Sequence, residues 1–378
     1  MRGVNQCSIL RAPLQRHAED VFAVYFSRDV RDVLEQLRAE VTPILRDSEL
    51  PGVAIAAYID GRLALETSIG DRDLQRTVPL PVNAPFYIYS VTKTLIAAAI
   101  LHQVKAGLLD LDAPIQQYWP DFPVDTPISL RQILSHTSGL PDYGGLPAYH
   151  KAVKVSPGFP WSVQDYLNVA HTHGLLFEPG TGWSYSNIGY LALKTLLEQT
   201  TGRSLQKILD ALFFRPLELA HTFVAASLVD AADLTPGYTR ALDGDELVNM
   251  APRYHPGWVS HGVVVSTAAE LAAMIDALFT GQILDLSLVE QMAHPVHSLG
   301  AHPPLQNVGC GLGLFMDTDS PYGQVAGHSG GGPGYSTAAF HFSSLAGSPT
   351  TIAAATNQEG NNVGVDVAYA AARALAGA

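Results

Sequence analysis

Ser90 and Lys93, in the run Tyr87-Ile88-Tyr89-Ser90-Val91-Thr92-Lys93, set a hydroxyl and an amine three residues apart. On a helix, residues i and i+3 share a face. A serine hydroxyl is a weak nucleophile, and a lysine whose pKa is lowered by burial can take its proton, so the pair could carry acyl-transfer chemistry. Ser204-Leu205-Gln206-Lys207 has the same spacing, but it follows Thr201-Gly202-Arg203 at the head of an amphipathic helix. There an N-cap serine and a solvated lysine account for both residues. Ser90 instead lies between the apolar run Phe86-Tyr87-Ile88-Tyr89 and an apolar helix over residues 95–101, which places it at a buried helix start. A plain N-cap is the alternative for Ser90 too.

Two further segments could complete such a site. Phe177-Glu178-Pro179-Gly180-Thr181-Gly182-Trp183-Ser184-Tyr185-Ser186-Asn187 is a turn-rich loop that delivers Tyr185 and Asn187 just before a helix over residues 191–200. In extended or turning backbone, positions i and i+2 point the same way, so both could face one cleft. Tyr166-Leu167-Asn168 repeats the pair inside a helical pattern, where the side chains diverge. A buried tyrosine beside a turn asparagine is the alternative reading. The second segment, Gln324-Val325-Ala326-Gly327-His328-Ser329-Gly330-Gly331-Gly332-Pro333-Gly334-Tyr335, reads as a short strand running into a glycine-dense turn. Glycines let a substrate approach the backbone. His328-Ser329-Gly330 would form an edge whose N–H groups can serve an oxyanion, with the His328 and Ser329 side chains available to an anionic substrate group. The alternative for His328 is a surface turn histidine.

In order along the chain, Ser90-Val91-Thr92-Lys93, Tyr185-Ser186-Asn187 and His328-Ser329-Gly330 resemble the three-motif signature of the serine β-lactamases and penicillin-binding proteins. The resemblance is strongest to the class C branch, whose second motif is Tyr-x-Asn and which includes D,D-carboxypeptidases, D-aminopeptidases, β-lactamase-type esterases and AmpC-like β-lactamases. Leu134-Ser135-His136-Thr137-Ser138-Gly139-Leu140-Pro141-Asp142-Tyr143 and Gly262-Val263-Val264-Val265-Ser266-Thr267-Ala268-Ala269-Glu270-Leu271 look like the same family, so the similarity covers residues 30–376. It implies a serine hydrolase working through an acyl-enzyme at Ser90, without cofactor or metal. Lys93 and Tyr185 would share the serine proton, Tyr185 would activate water, and Asn187 would orient the substrate amide or Lys93. The N–H groups of Ser90 and Gly331 would form the oxyanion hole.

Where many β-lactamases carry Lys-Thr-Gly, this chain has His328-Ser329-Gly330. A histidine near its reference pKa of about 6.5 is mostly neutral at neutral pH, which weakens anchoring of a carboxylate. The expectation is therefore small esters, amides or D-amino-acid peptides, with at most weak β-lactam hydrolysis. Turnover of a carboxylate-bearing substrate should fall as pH rises through the His328 pKa. A true class C-type β-lactamase or D,D-peptidase is the alternative within the family; a catalytically silent ligand- or partner-binding relative is the alternative outside it. Gly327-His328-Ser329-Gly330-Gly331 also fits the Gly-x-Ser-x-Gly elbow of α/β-hydrolases, but that elbow leads into a helix, and the order serine, acid, histidine fails because His341 precedes Asp366.

With 378 residues, 47% hydrophobic and 15% charged, the chain can bury one large core or two adjoining ones. A net charge of -13 with scattered Lys and Arg argues against nucleic-acid or anionic-membrane partners and leaves a small molecule or short peptide. No apolar run reaches spanning length. Cys7 and Cys310 define no disulfide framework. His171-Thr172-His173, just before Gly174, reads as a helix end rather than a zinc pair. The apolar stretch at residues 21–26 directly follows Glu19-Asp20, a poor secretory signal, so a cytoplasmic location is expected. Nothing in the sequence signals an oligomeric state.

These residues need a scaffold, and the periodicity predicts an α+β one: an antiparallel sheet flanked by helices, with an inserted all-helical domain. Residues 1–28 read as an irregular arm and 29–47 carry a helical period. A hairpin over 53–59 and 63–69 turns at Asp60-Gly61. Strands are expected at 308–316, 324–328, 335–342 and 351–356, then an alanine-rich helix over 363–375. Capping boxes at Ser129-Leu130-Arg131-Gln132 and Thr267-Ala268-Ala269-Glu270 mark helices between the ends. Residues 29–85 plus 301–378 would form a split α/β sheet domain and 86–300 a helical domain. The resemblance puts the active site in the groove between them, with 141–160 a surface loop near its mouth.

Overall fold

The computed structural model describes residues 30–242 and 246–377. The expected arm at 1–28, and Cys7 within it, lie outside these residues. The first half of the chain supplies strands β1 (Gly52–Ile59), β2 (Arg62–Gly70) and β3 (Phe86–Tyr87). β4 (Phe223–Ala225), β5 (Tyr238–Thr239), β6 (Val248–Asn249) and β7 (Val263–Ser266) follow in the middle. The C-terminal part adds β8 (His297–His302), β9 (Leu305–Cys310), β10 (Phe315–Asp317), β11 (Val325–Gly332), β12 (Tyr335–Leu345) and β13 (Ser348–Thr356). An antiparallel eight-stranded sheet runs β2-β1-β13-β12-β11-β10-β9-β8, so both ends of the chain build it.

The β1–β2 hairpin forms as its turn chemistry predicts: Asp60 (φ 46°) and Gly61 (φ 76°) are successive left-handed residues, whose twist matches the flanking strands. β1 is buried on both faces. Val53, Ile55, Ala57 and Ile59 point to a layer made by helices Val30–Asp47 and Val363–Ala376, while Ala54 and Ala56 point to the larger core of the inserted segment. In the first helix Val33, Leu37, Val41 and Leu45, spaced by four, are the buried stripe. Helix Ala268–Phe279 covers the inner face against β1, β12 and β13, although it lies within the 86–300 span read as helical. That span also contains the small sheet β3-β7-β4.

Four local differences from the sequence reading have physical causes. The strand expected at 308–316 is broken into β9 and β10 by Gly311-Leu312-Gly313-Leu314. Gly313 has φ 70°, and a Cβ there would lie 2.5 Å from the Ala97 Cβ, so the link can press onto helix Thr92–Lys105 only as glycine. Residues 141–160 hold a helix, Pro147–Val155, begun by a proline at a position where its missing N–H costs nothing. The box at Thr267 is half made. Thr267 Oγ1 accepts from the Glu270 N–H, but the Glu270 carboxylate accepts from the Ala220 and His221 N–H groups and Thr222 Oγ1 instead. Finally, Ser204 holds the N-cap position of helix Leu205–Leu209 without a side-chain cap bond, and Glu198 Oε1 takes the Leu205 N–H in its place. The box at Ser129 is complete. Among the described residues no helix is long and apolar enough to cross a membrane.

Candidate active site

β3 delivers the chain to Ile88, whose N–H donates to Val264 O at 2.9 Å. The backbone then turns over at Tyr89 (φ 44°), a left-handed conformation unusual for an aromatic residue, into a 3-10 turn Tyr89–Val91 and helix Thr92–Lys105. The cap position of that helix is Val91, with no side-chain cap bond. The Ser90 hydroxyl is therefore not spent on capping, and Ser90 is partly exposed.

β11 packs against this turn. It does not end before the glycines, as expected from sequence, but runs through Gly332 before the chain turns at Pro333-Gly334. Added Cβ atoms show why: one on Gly330 would sit 2.1 Å from Ile88 O, and one on Gly332 2.6 Å from the Tyr89 ring. Gly331, between them, faces open space. β10 pairs with β11 only at Val325, Ala326 and Gly327, so among the described residues no strand pairs with that edge from His328 onward. Ser329 thus lies mid-strand, which removes the nucleophile-elbow reading.

Lys93 is fully buried. Its Nζ lies 2.9 Å from Ser90 Oγ, donates to Asn187 Oδ1 at 2.8 Å and sits 4.9 Å over the Tyr185 ring. Asn187 is itself held: its N–H donates to Asp142 Oδ1 at 2.9 Å and its Nδ2 to Asp142 Oδ2 at 3.3 Å, so the amide oxygen must face the lysine. Ser186 caps helix Asn187–Thr201 by accepting the Gly189 N–H, and its own N–H donates to His136 Nδ1 at 3.1 Å. The His136 ring lies 4.3 Å from Tyr185. Tyr166, by contrast, is buried in helix Val163–His173 and bonded to Gly257 O, while Asn168 is exposed on another face.

The structure thus brings Ser90, Lys93, Tyr185 and Asn187 together, with the His328 ring 6.4 Å from Tyr185. Ser329 points to the opposite face of β11, as strand alternation requires. It lines a cleft of about 280 Å³ with Trp183, Leu299, His302, Phe315 and Asn362. Gly331 borders a second cleft of about 440 Å³ with Tyr149, His150, Ala241 and Glu359. Three residues that sequence reading did not single out belong to the cluster: His136, Asp142 and His261, whose Nε2 lies 3.3 Å from Lys93 Nζ. His136 and Asp142 stand in a segment already matched to the family, but their spacing alone says nothing about what they touch.

Burial pushes the Lys93 pKa well below its ordinary 10.5, with the charge of Asp142 opposing. Burial raises Tyr185 above 10.0, against a hydrogen bond with Ser90 that lowers it. Burial first, and then the Lys93 charge, push His328 down to about 3, although its ring bonds the Ser329 carbonyl. This corrects the sequence expectation. His328 stays neutral across the physiological range, so it cannot impose a pH dependence on carboxylate-bearing substrates there.

His136, His261, His328 and His341 are all buried, and burial is the main cause of a lowered pKa in each, to about 4 for His341. In the unfolded chain these rings take up protons near pH 6.5, which the folded state refuses. Stability should therefore fall as pH drops below about 6.5, by about 1.4 kcal/mol per pH unit for each ring, until the folded pKa values are reached. Calorimetric melting at several pH values between about 7.5 and about 4.5 checks this. A melting temperature unchanged over that range would mean that the rings take up protons in the fold at the same pH as in the unfolded chain.

The antiparallel sheet with its Ser-Lys-Tyr-Asn cluster at a helix start defines a family. The chain matches the Beta-lactamase family model over residues 30–377 and belongs to that family. It is 27% identical to a penicillin-binding protein of Bacillus subtilis (strain 168) over 299 residues, 76% of this chain and 64% of that protein. It is 29% identical to esterase EstB of Burkholderia gladioli over 238 residues, 59% of this chain and 60% of the esterase. It thus spans less than two thirds of these relatives' length. Among solved structures, a D-stereospecific amidohydrolase from Streptomyces sp. superposes with a TM-score of 0.74 at 26% identity, covering 90% of this chain and 97% of that one.

Proposed function

We propose that this chain is a serine hydrolase that forms an acyl-enzyme at Ser90 on small esters, amides or D-amino-acid peptides. The observation that carries the reading is a fully buried amine, Lys93 Nζ, 2.9 Å from a serine hydroxyl that caps nothing. A lysine with its pKa lowered by burial holds a lone pair that can receive the Ser90 proton as Oγ attacks a carbonyl. Tyr185, kept protonated by burial, relays a proton between Ser90 Oγ and the leaving group or incoming water rather than standing as a phenolate. The unpaired edge of β11 supports Gly331 N–H as an oxyanion donor beside that of Ser90.

A neutral His328, with no cation at that position, favours substrates that lack a carboxylate to anchor, which ranks β-lactams and D,D-peptides below neutral esters and amides. The similarity to an esterase, a D-stereospecific amidohydrolase and a penicillin-binding protein supports hydrolysis at ester or amide carbonyls without ranking the substrates. The test is intact-mass and peptide mapping after exposure to a fluorophosphonate, on the wild type and on Ser90→Ala. One adduct, on the Ser90 peptide and missing in the variant, is the expected result; an adduct on another serine, or none, rejects it.

A further inference from the structure

His261 stands just before β7, 1% exposed, with Nε2 3.3 Å from Lys93 Nζ. Its Nδ1 is buried and makes no hydrogen bond among the described residues. A buried, half-satisfied imidazole is costly; here Nε2 meets the amine that adjoins Ser90, and the ring also interacts with the Tyr89 backbone at the turn that carries Ser90. We propose that His261 is a positioning residue for Lys93: its Nε2 accepts one amine hydrogen, and this aims the lysine lone pair at Ser90.

The hydrogen count supports that arrangement. A neutral amine has two hydrogens and one lone pair. Asn187 Oδ1 can only accept, because Asp142 fixes the other end of that amide, so one hydrogen goes there. If His261 Nε2 accepts the second, the lone pair is left for the Ser90 O–H, 2.9 Å away. If instead His261 donated from Nε2, it would occupy the lone pair and the lysine could not act as base. With Nε2 accepting, the ring proton sits on Nδ1. When the Ser90 proton arrives, the amine becomes an ammonium with three hydrogens: two keep their partners and the third faces Ser90 Oγ and Tyr185. The charge formed at Lys93 is then met by two neutral acceptors, and no proton needs to pass to His261.

The inference rests on Lys93 being the base. Among the described residues, the charged and titratable groups facing the pair are Asp142, the carboxylate acting on Lys93, together with His136, Tyr185, Tyr190, His328 and Lys194. An acceptor stabilises the ammonium more than the amine, so removing it lowers the Lys93 pKa; removing a donor to the lone pair would raise it. The experiment compares His261→Leu and His261→Gln with the wild type in hydrolysis of a neutral p-nitrophenyl ester across pH, alongside fluorophosphonate labelling of Ser90. For Leu, kcat should fall about 10- to 100-fold with KM nearly unchanged, and the rising limb of the pH profile should move to lower pH. Gln, which can present Oε1, should restore most of kcat. A limb that stays put or moves to higher pH in the Leu variant, or Leu and Gln variants alike in kcat, overturns the positioning role. Should the Leu variant not fold, the Gln variant decides alone, since loss of its kcat with normal melting contradicts acceptance at Nε2. Failure of the underlying reading looks different: the wild type itself would leave Ser90 unlabelled.

Discussion

Replacing Lys93 with methionine is expected to lower kcat/KM by about 10²- to 10⁴-fold, towards the upper end of that range because one group both takes and returns the proton. Methionine fills the fully buried space without an amine, so the loss should come with a correctly folded protein. The stability effect has a definite sign. In the unfolded chain Lys93 is protonated up to about pH 10.4, whereas burial disfavours the charged form in the fold, so its ionisation opposes folding below that pH and stops opposing it above. The Met variant should therefore melt higher than the wild type near pH 7, with the difference shrinking as pH approaches 10. Asn187 would lose one donor but keep both bonds to Asp142. Activity within tenfold of the wild type, or a stability gain that grows with pH, would show that Lys93 is a charged structural residue.

Gly330→Ala and Gly331→Ala, neighbours on one strand, should behave oppositely in folding. A Cβ at Gly330 would meet Ile88 O at 2.1 Å and Thr337 Oγ1 at 2.6 Å, and Ile88 O is backbone that also accepts the Thr337 hydroxyl. Relief requires β11 to move away from the turn that carries Ser90. Overpacking of this kind costs about 1–3 kcal/mol, and a displacement of about 1 Å at a reacting group costs about 100-fold in rate. Gly331→Ala meets nothing within 4 Å and should leave the melting temperature unchanged. Equal melting temperatures for the two variants would mean that the contact between β11 and the Ser90 turn is loose.

Much of this site was legible because it is local. Ser90 and Lys93 are one helical turn apart, and Tyr185 and Asn187 flank a cap residue, so spacing and punctuation offer them as candidates, which the resemblance of three ordered motifs to one family then joins into a site. The hairpin at Asp60-Gly61 and the strands at β12 and β13 follow from the same short-range rules. What escaped depends on distant contacts. His261 reaches Lys93 across 168 positions, His136 reaches Ser186 across 50 and Asp142 reaches Asn187 across 45. The glycines of β11 look like turn residues until the Ser90 turn lies against them, and burial of His328 lowers a pKa that composition leaves at its reference value.

The register that sets Val53 opposite Thr356 has a consequence for biosynthesis. When the β1–β2 hairpin leaves the ribosome, the other edge of β1 is an apolar strand with unpaired backbone groups, and the segment that covers it is translated only after all the elements between β2 and β13. Until then that edge can pair with other nascent chains, and only the arrival of β13, followed by helix Val363–Ala376, closes it. Slow elongation before β13, or termination short of it, would thus feed aggregation from a strand made far earlier in the chain.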